Sequence, residues 1–339
     1  MSFTDQLESN LVLTSAGANF YGGINDLKFP VFSGVTSSWI AETGGSAVSA
    51  AGDLSAVTLT PKKLISVVNM TSESMMQNPA LEGALTRQMA SDGNTPWCIG
   101  LGSGDATGWP ATDWMEDIML RTHDPSVYDK WVSNEMPFND PKVLEAMDFF
   151  GSFALNDKYV NGGSKAVATT DFRDAPNGLF SSPAECMMHR QASFIPAFFP
   201  EGLEAGVDYD FFYFPAYSTK DLGKPVLGGG TLFAATNDNQ ATMEFVKFLL
   251  HSEPNEHWMA KGGFLTPHKG ADLSKYPSDT FRKLGEILTG ATTFRFDGSD
   301  LMPGAIGAGS FWTGMVDYTN GKSAKDVADA IQASWDAIK

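Results

Sequence analysis

The chain changes its residue pattern near residue 90, and that break constrains its folding more than any other feature. Gly, Ala, Ser and Thr dominate residues 33–60, and only seven of the 40 acidic and four of the 23 basic side chains fall in the first 90 residues. Short β-prone runs there, Leu27 to Phe32, Ser37 to Ala41 and Ala56 to Thr60, are interrupted by Gly, Pro and Asp. Lys62 to Met70 continues as an extended segment. Asn78 as an N-cap, Pro79 at the first helical position and Leu81, Leu85 and Met89 at four-residue spacing then predict a helix running to about Ala90.

Beyond a turn at Ser91 to Asn94 the pattern alternates. Thr95 to Leu101 is expected as a buried strand, Thr112 to Arg121 and Lys142 to Leu155 as helices, Asp210 to Phe214 and Gly230 to Ala235 as strands, and Ala241 to His251 as a helix. Val327, Ile331 and Trp335 make one face of a C-terminal helix over residues 324–338. This is α/β organisation, and 339 residues are more than one ordinary core accommodates, so two domains or lobes are expected.

A formal net charge of −17 repels phosphate, which argues against nucleic acid and anionic membrane as partners. No apolar run approaches the roughly 18 residues of a membrane span, and the opening residues from Met1 to Glu8 lack the basic and apolar regions of an export signal. Cys98 and Cys186 form either one long-range bridge or two buried thiols; a bridge would close a loop of about 90 residues. Catalytic patterns fail on spacing. Val316 stands where a phosphate loop ending at Gly321-Lys-Ser323 needs its first glycine, and Asp105 replaces the third glycine of a dinucleotide fingerprint that begins at Gly100. The adjacent acids Glu116 and Asp117 point apart on a helix, which leaves a glycosidase little support. Neither a cofactor nor a metal is implied.

Five segments together resemble the solute-binding proteins of sugar ABC importers, most closely those for α-glucosides. They are Asp92-Gly-Asn-Thr-Pro-Trp-Cys-Ile-Gly100, Gly108-Trp-Pro-Ala-Thr-Asp-Trp-Met-Glu-Asp117, His189-Arg-Gln-Ala-Ser-Phe194, Val226-Leu-Gly-Gly-Gly230 and Met302-Pro-Gly-Ala-Ile-Gly-Ala-Gly-Ser-Phe-Trp312. The resemblance implies an α/β, periplasmic-binding-protein-like fold of two lobes that close on a sugar in the cleft between them. Residues 91–225 would form the second lobe, 226–298 a remnant of the first, and 299–339 a return to the second. The first lobe would be incomplete, with an apolar face and a sheet edge exposed on the remnant. In place of the missing part, residues 1–90 resemble a tailed-phage major capsid protein over Asn19-Phe-Tyr-Gly-Gly23, Phe29-Pro-Val-Phe-Ser-Gly34, Trp39-Ile-Ala-Glu42, Val57-Thr-Leu-Thr-Pro-Lys62 and Met76-Gln-Asn-Pro-Ala80. The chain would then be chimeric, a capsid-like β-rich segment and helix preceding the solute-binding fold. Its implied partners are an oligosaccharide and a membrane permease, its implied location is the periplasm, and its capsid-like segment implies self-assembly as the competing role.

Sugars are held by aromatic rings stacked on their apolar faces and by polar groups bonded to their hydroxyls. Asp105, Thr107 and Trp109 supply a carboxylate, a hydroxyl and an indole on one loop. Trp312 falls where the resemblance places a stacking tryptophan, whereas Trp114 and Trp335 lie on core-facing helix positions. Arg190, with His189, could donate to sugar hydroxyls or form an ion pair. Gly229, in the Gly228-Gly-Gly230 run, would let the backbone approach a ligand, bend as a hinge, or simply turn.

Overall fold

The computed structural model describes residues 27–33 and 53–59 by their backbone, together with residues 86–87, 89–214, 217 and 221–339. The chain divides into two compact units, Met1–Asn69 and Met70–Lys339. In the first, strand β1 (Leu27–Ser33) pairs antiparallel with β2 (Asp53–Leu59), Leu27 opposite Leu59 and Ser33 opposite Asp53. Both strands cover β-prone runs of the sequence. The run at Ser37 to Ala41, the segment from Lys62 to Met70 and the start of the helix expected at Pro79 lie outside the described residues; residues 86, 87 and 89–91 are helical.

The second unit is built around α1 (Trp109–Thr122), of which every residue from Pro110 to Arg121 is buried. Helix α2 (Pro125–Val132) follows, and α3 (Pro141–Ala154) packs on α1. Proline at the start of α3 and the Asp140 carboxylate, which accepts from the Lys142 N–H at 2.9 Å, fix where that helix begins. Strand β3 (Pro225–Gly228) leads to α4 (Gln240–Leu249), α5 (Ser252–Met259) and α6 (Asp279–Thr289), and β4 (Thr293–Phe296) returns to pair in parallel with β3. A π-helical segment, Ala305–Phe311, runs into α7 (Trp312–Thr319), and α8 (Ala324–Ile338) closes the chain behind a Ser323 cap.

One apolar cluster joins α1, α2, α3, α7 and α8. Trp97, Trp114, Phe150 and Phe153 pack on one side, Trp131, Phe138 and Phe311 on the other, with Met315, Val327, Ile331 and Trp335 beneath them. The apolar face read from the sequence of α8 is therefore buried, and Trp114 and Trp335 occupy the core. No described helix is long and apolar enough to cross a membrane.

Three expected strands differ. Thr95 to Leu101 is almost wholly buried, but its backbone makes only isolated parallel bridges, Trp97 with Val160 on one side and with Met188 on the other, and a single hydrogen bond from the Leu101 N–H to Val167 (2.9 Å). No ladder forms because no single neighbour runs alongside. Asp210 to Phe214 is irregular, and Gly230 to Ala235 is exposed coil with Leu232 83% accessible, since neither has a pairing strand among the described residues. Helix α4 forms one residue ahead of the expected start and ends two residues short of the expected end, yet none of its residues is buried, and Phe245 and Phe248 face outward.

Candidate ligand-binding site

The loop before α1 brings the candidate residues together. Residues 104–106 make one 3-10 turn that leaves Asp105 exposed. The Thr107 hydroxyl donates to the Gly104 carbonyl (2.7 Å) and accepts from the Ser103 N–H (3.0 Å), so this side chain holds the loop that presents Asp105. Gly108 follows with φ 113°, a conformation open chiefly to glycine, and packs its backbone on Trp312 at the start of α7. Trp109 is half-buried; its ring meets Phe172 edge-on at 5.0 Å and Phe194 at 6.1 Å, and Phe198 adds a fourth ring 5.5 Å from Phe172. The half-buried Trp312 keeps its indole N–H buried, with no partner among the described residues. Asp105, Thr107 and Trp109 thus share one loop that packs at Gly108 on the Trp312 backbone, and the Trp109 ring lies beside accessible phenyl rings.

Gly229 takes no part in that contact. It is exposed after β3 with open space where a side chain would stand, while its neighbour Gly228 is the constrained one, since a Cβ there would meet the Phe294 ring at 2.6 Å.

Arg190 turns inward. Its guanidinium donates to the Asp117 carboxylate from Nε (2.9 Å) and Nη2, to the Asp113 carboxylate from Nη1 (3.3 Å) and to the Asp113 carbonyl from Nη2 (3.1 Å). It also lies over the rings of Trp114 and Phe214. Of the two readings open to it, the ion pair is the one formed, and it is buried. His189 shares a 2.8 Å hydrogen bond with the Cys98 carbonyl; burial lowers its pKa to about 4, the bond to Cys98 opposing and the Arg190 charge adding to the effect.

Cys98 and Cys186 are bridged, with Cα atoms 5.5 Å apart, which settles the alternative that spacing left open. The bridge holds residues 186–190 against the buried segment at Cys98 and so sets Arg190 beside α1.

A carboxylate cluster escaped sequence reasoning. Asp113 and Glu116 on α1 and Asp297 after β4 each place a carboxylate oxygen within 4.8 Å of the other two. Burial, with Asp297 and Asp117 nearby, raises the Asp113 pKa to about 7 against the pull of Arg190. Burial and the same crowding hold Glu116 well above the usual carboxylate range. The three-residue spacing of Asp113 and Glu116 put both on one helix face, but nothing in the sequence placed Asp297 beside them.

No protein-family model matches the chain. The alpha-glucosides-binding periplasmic protein AglE of Rhizobium meliloti (strain 1021) is 60% identical over 257 residues, covering 76% of this chain and 56% of that protein. The osmoprotective compounds-binding protein GgtB of Synechocystis sp. (strain ATCC 27184 / PCC 6803 / Kazusa) is 44% identical over 252 residues, 74% of this chain and 59% of that one. The chain therefore spans less than two thirds of the length of the curated relatives it matches. Among solved structures, a chitin oligosaccharide binding protein aligns with TM-score 0.60 at 15% identity over 75% of this chain and 63% of its own. The bacterial solute receptor AcbH aligns with TM-score 0.58 at 20% identity over 76% of this chain and 64% of its own. Over about three quarters of its length, then, the chain has the fold of bacterial solute-binding proteins and strong sequence similarity to α-glucoside-binding and osmoprotectant-binding members of that group.

Proposed function

We propose that the chain is a binding protein rather than an enzyme, and that it captures a neutral oligosaccharide of the α-glucoside type in the periplasm and delivers it to an ABC permease in the membrane. The observation that supports this reading is the loop that carries Asp105 and Trp109 and packs at Gly108 on the backbone of Trp312, so that one carboxylate and two tryptophans belong to neighbouring segments. Trp109 and Trp312 offer the stacking faces, Asp105 accepts from sugar hydroxyls, and Thr107 holds the loop in shape. The similarity to AglE supports the sugar class. The outward apolar face of α4 supports a first lobe that residues 226–298 form only in part, so that one wall of the cleft would be thinner than in the relatives.

Isothermal titration of the intact chain with maltose, trehalose and sucrose tests the reading. Saturable heat with at least one of them is expected, and none at millimolar sugar would overturn it. A second reading, capsid-like self-association through residues 1–90, draws on the antiparallel ribbon of β1 and β2 and on the resemblance of the segments around it. Light scattering that finds only monomers removes it.

A further inference from the structure

Four carboxylates crowd the middle of α1 and the end of β4, and two guanidinium groups stand against them. Asp117 is bound by Arg121 at 2.9 Å and by Arg190, and Asp113 by Arg190 at 3.3 Å. Among the described residues, no ion pair reaches Glu116 or Asp297. Glu116 Oε1 accepts from the Ser299 N–H (2.9 Å), and Asp297 Oδ1 from the Ser299 hydroxyl (2.9 Å) and the Asp300 N–H (3.0 Å). With all four ionised, four negative charges and two positive ones would leave an excess of two, a crowding that together with burial raises the pKa values of Asp113 and Glu116.

Glu116 supplies a second, independent observation. Its side chain is wholly buried, and Oε2 has no hydrogen-bond partner among the described residues. A buried carboxylate oxygen without a partner carries its full desolvation penalty, which makes such atoms rare in folded proteins unless something unseen completes them. This carboxylate faces Asp113 and Asp297, with one oxygen of each residue inside a 4.8 Å span.

We propose that Asp113, Glu116 and Asp297 bind a divalent cation of the hard, oxygen-seeking class, calcium foremost. The donors are all carboxylate oxygens, the set such ions select. Two Ca–O bonds of about 2.3–2.6 Å place their oxygens at most about 5 Å apart, which the observed span meets without rearrangement. Magnesium, with bonds of about 2.0–2.1 Å and several retained waters, suits this buried set less well. A charge of two cancels the excess. The ion would clamp α1, which begins at Trp109, to the segment after β4, and so steady the loop proposed above for the sugar while being a separate site from it.

The test uses the intact, disulfide-bonded chain without sugar, stripped of metal with EDTA and then freed of the chelator. Calcium titration followed by calorimetry is expected to show one saturable site, and the melting temperature is expected to rise by several degrees at saturation. Glu116→Gln should fold in metal-free buffer at least as stably as the parent, because a neutral amide replaces a carboxyl whose charged form burial already disfavours, and should lose the calcium-dependent rise. Asp297→Asn, which keeps the cap on the Asp300 N–H, should lose it as well. Absence of saturable binding of calcium, magnesium or manganese at millimolar concentration overturns the proposal, and so does an undiminished calcium response in both variants. A melting temperature indifferent to calcium but rising as pH falls would show that protons neutralise the cluster, and overturns it too. Sugar binding enters none of these readouts, so the cation site can fail or succeed independently of the proposed function.

Discussion

Gly108 and Trp312 meet backbone to backbone: a Cβ at residue 108 would stand 2.2 Å from the Trp312 carbonyl oxygen. The same glycine has φ 113°, where an L side chain is strained. Gly108→Ala therefore meets two obstacles at once, and neither is the far end of a flexible side chain that could swing aside. A loss of about 2–4 kcal/mol is expected from strain and overpacking together. Urea denaturation of the parent and variant measures it, and a variant within 0.5 kcal/mol of the parent, the ordinary range for surface changes, would show that the contact relaxes freely.

The elements legible in the sequence are those whose signal is local. Val327, Ile331 and Trp335 repeat at helical spacing, and α8 buries that face. Pro141 behind Asp140 starts α3, one residue before the sequence-based expectation. What could not be read depends on pairs distant along the chain. The sequence offered Arg190 a ligand or an ion pair, and its partners Asp113 and Asp117 lie more than 70 residues away. Asp297 joins Asp113 and Glu116 only because β4 returns beside β3 and delivers it to α1. Thr95 to Leu101 shows the limit from the other side, since an apolar run reports burial without reporting what borders it. Trp109 was recognisable from its neighbours, but the Phe172, Phe194 and Phe198 rings around it were not.

Arg190→Met separates a structural ion pair from a ligand contact. Removing the guanidinium leaves Asp113 and Asp117 buried with only the Arg121 charge beside Asp117. Loss of one member of such a set destabilises by about 3–5 kcal/mol. The expected result is a lower urea midpoint with sugar affinity unchanged once both proteins are assayed well below their midpoints. Selective loss of affinity at full stability would return Arg190 to the binding site.

The Cys98–Cys186 bridge spans 88 positions. Constraining the unfolded chain over a loop of that length contributes about 4–5 kcal/mol in the chain-entropy treatment. Unfolding curves with and without a reductant should differ by an amount of that order, and Cys98→Ser should match the reduced protein. Equal midpoints under both conditions would mean the bridge is absent in solution or adds nothing.

Trp312→Ala and Trp109→Ala test the proposed stacking faces. Each stacked aromatic contributes about 1–2 kcal/mol or more through buried area and ring contacts, so titration should show affinity for the responding sugar reduced by about fivefold to thirtyfold or more in either variant. Gly229→Ala, at an exposed position with open space, should leave affinity within twofold. An effect at Gly229 and none at the tryptophans would move the site away from the starts of α1 and α7.

His189 gives the fold an acid limit whose sign can be worked out. The Cys98 carbonyl can only accept, so the ring donates from Nδ1, while Nε2 is buried without a partner. Burial is the main reason the pKa falls from 6.5 to about 4. Above pH 6.5 the ring is neutral in both the folded and the unfolded chain, and its contribution to stability is complete. Between pH 6.5 and about 4 the unfolded chain takes up a proton that the folded chain refuses, so stability falls as pH falls, by on the order of 3 kcal/mol across the window. Asp113 and Glu116 pull the other way in overlapping ranges, because their raised pKa values make the folded chain bind protons first and stability fall as pH rises. The parent profile alone is thus a difference of opposing slopes, and the informative measurement is the gap between parent and His189→Asn, whose amide can still donate to Cys98. Unfolding free energies taken from pH 7.5 to 4 should show that gap change in the variant's favour as pH falls; parallel profiles would mean that the ring protonates in the folded chain as readily as in water.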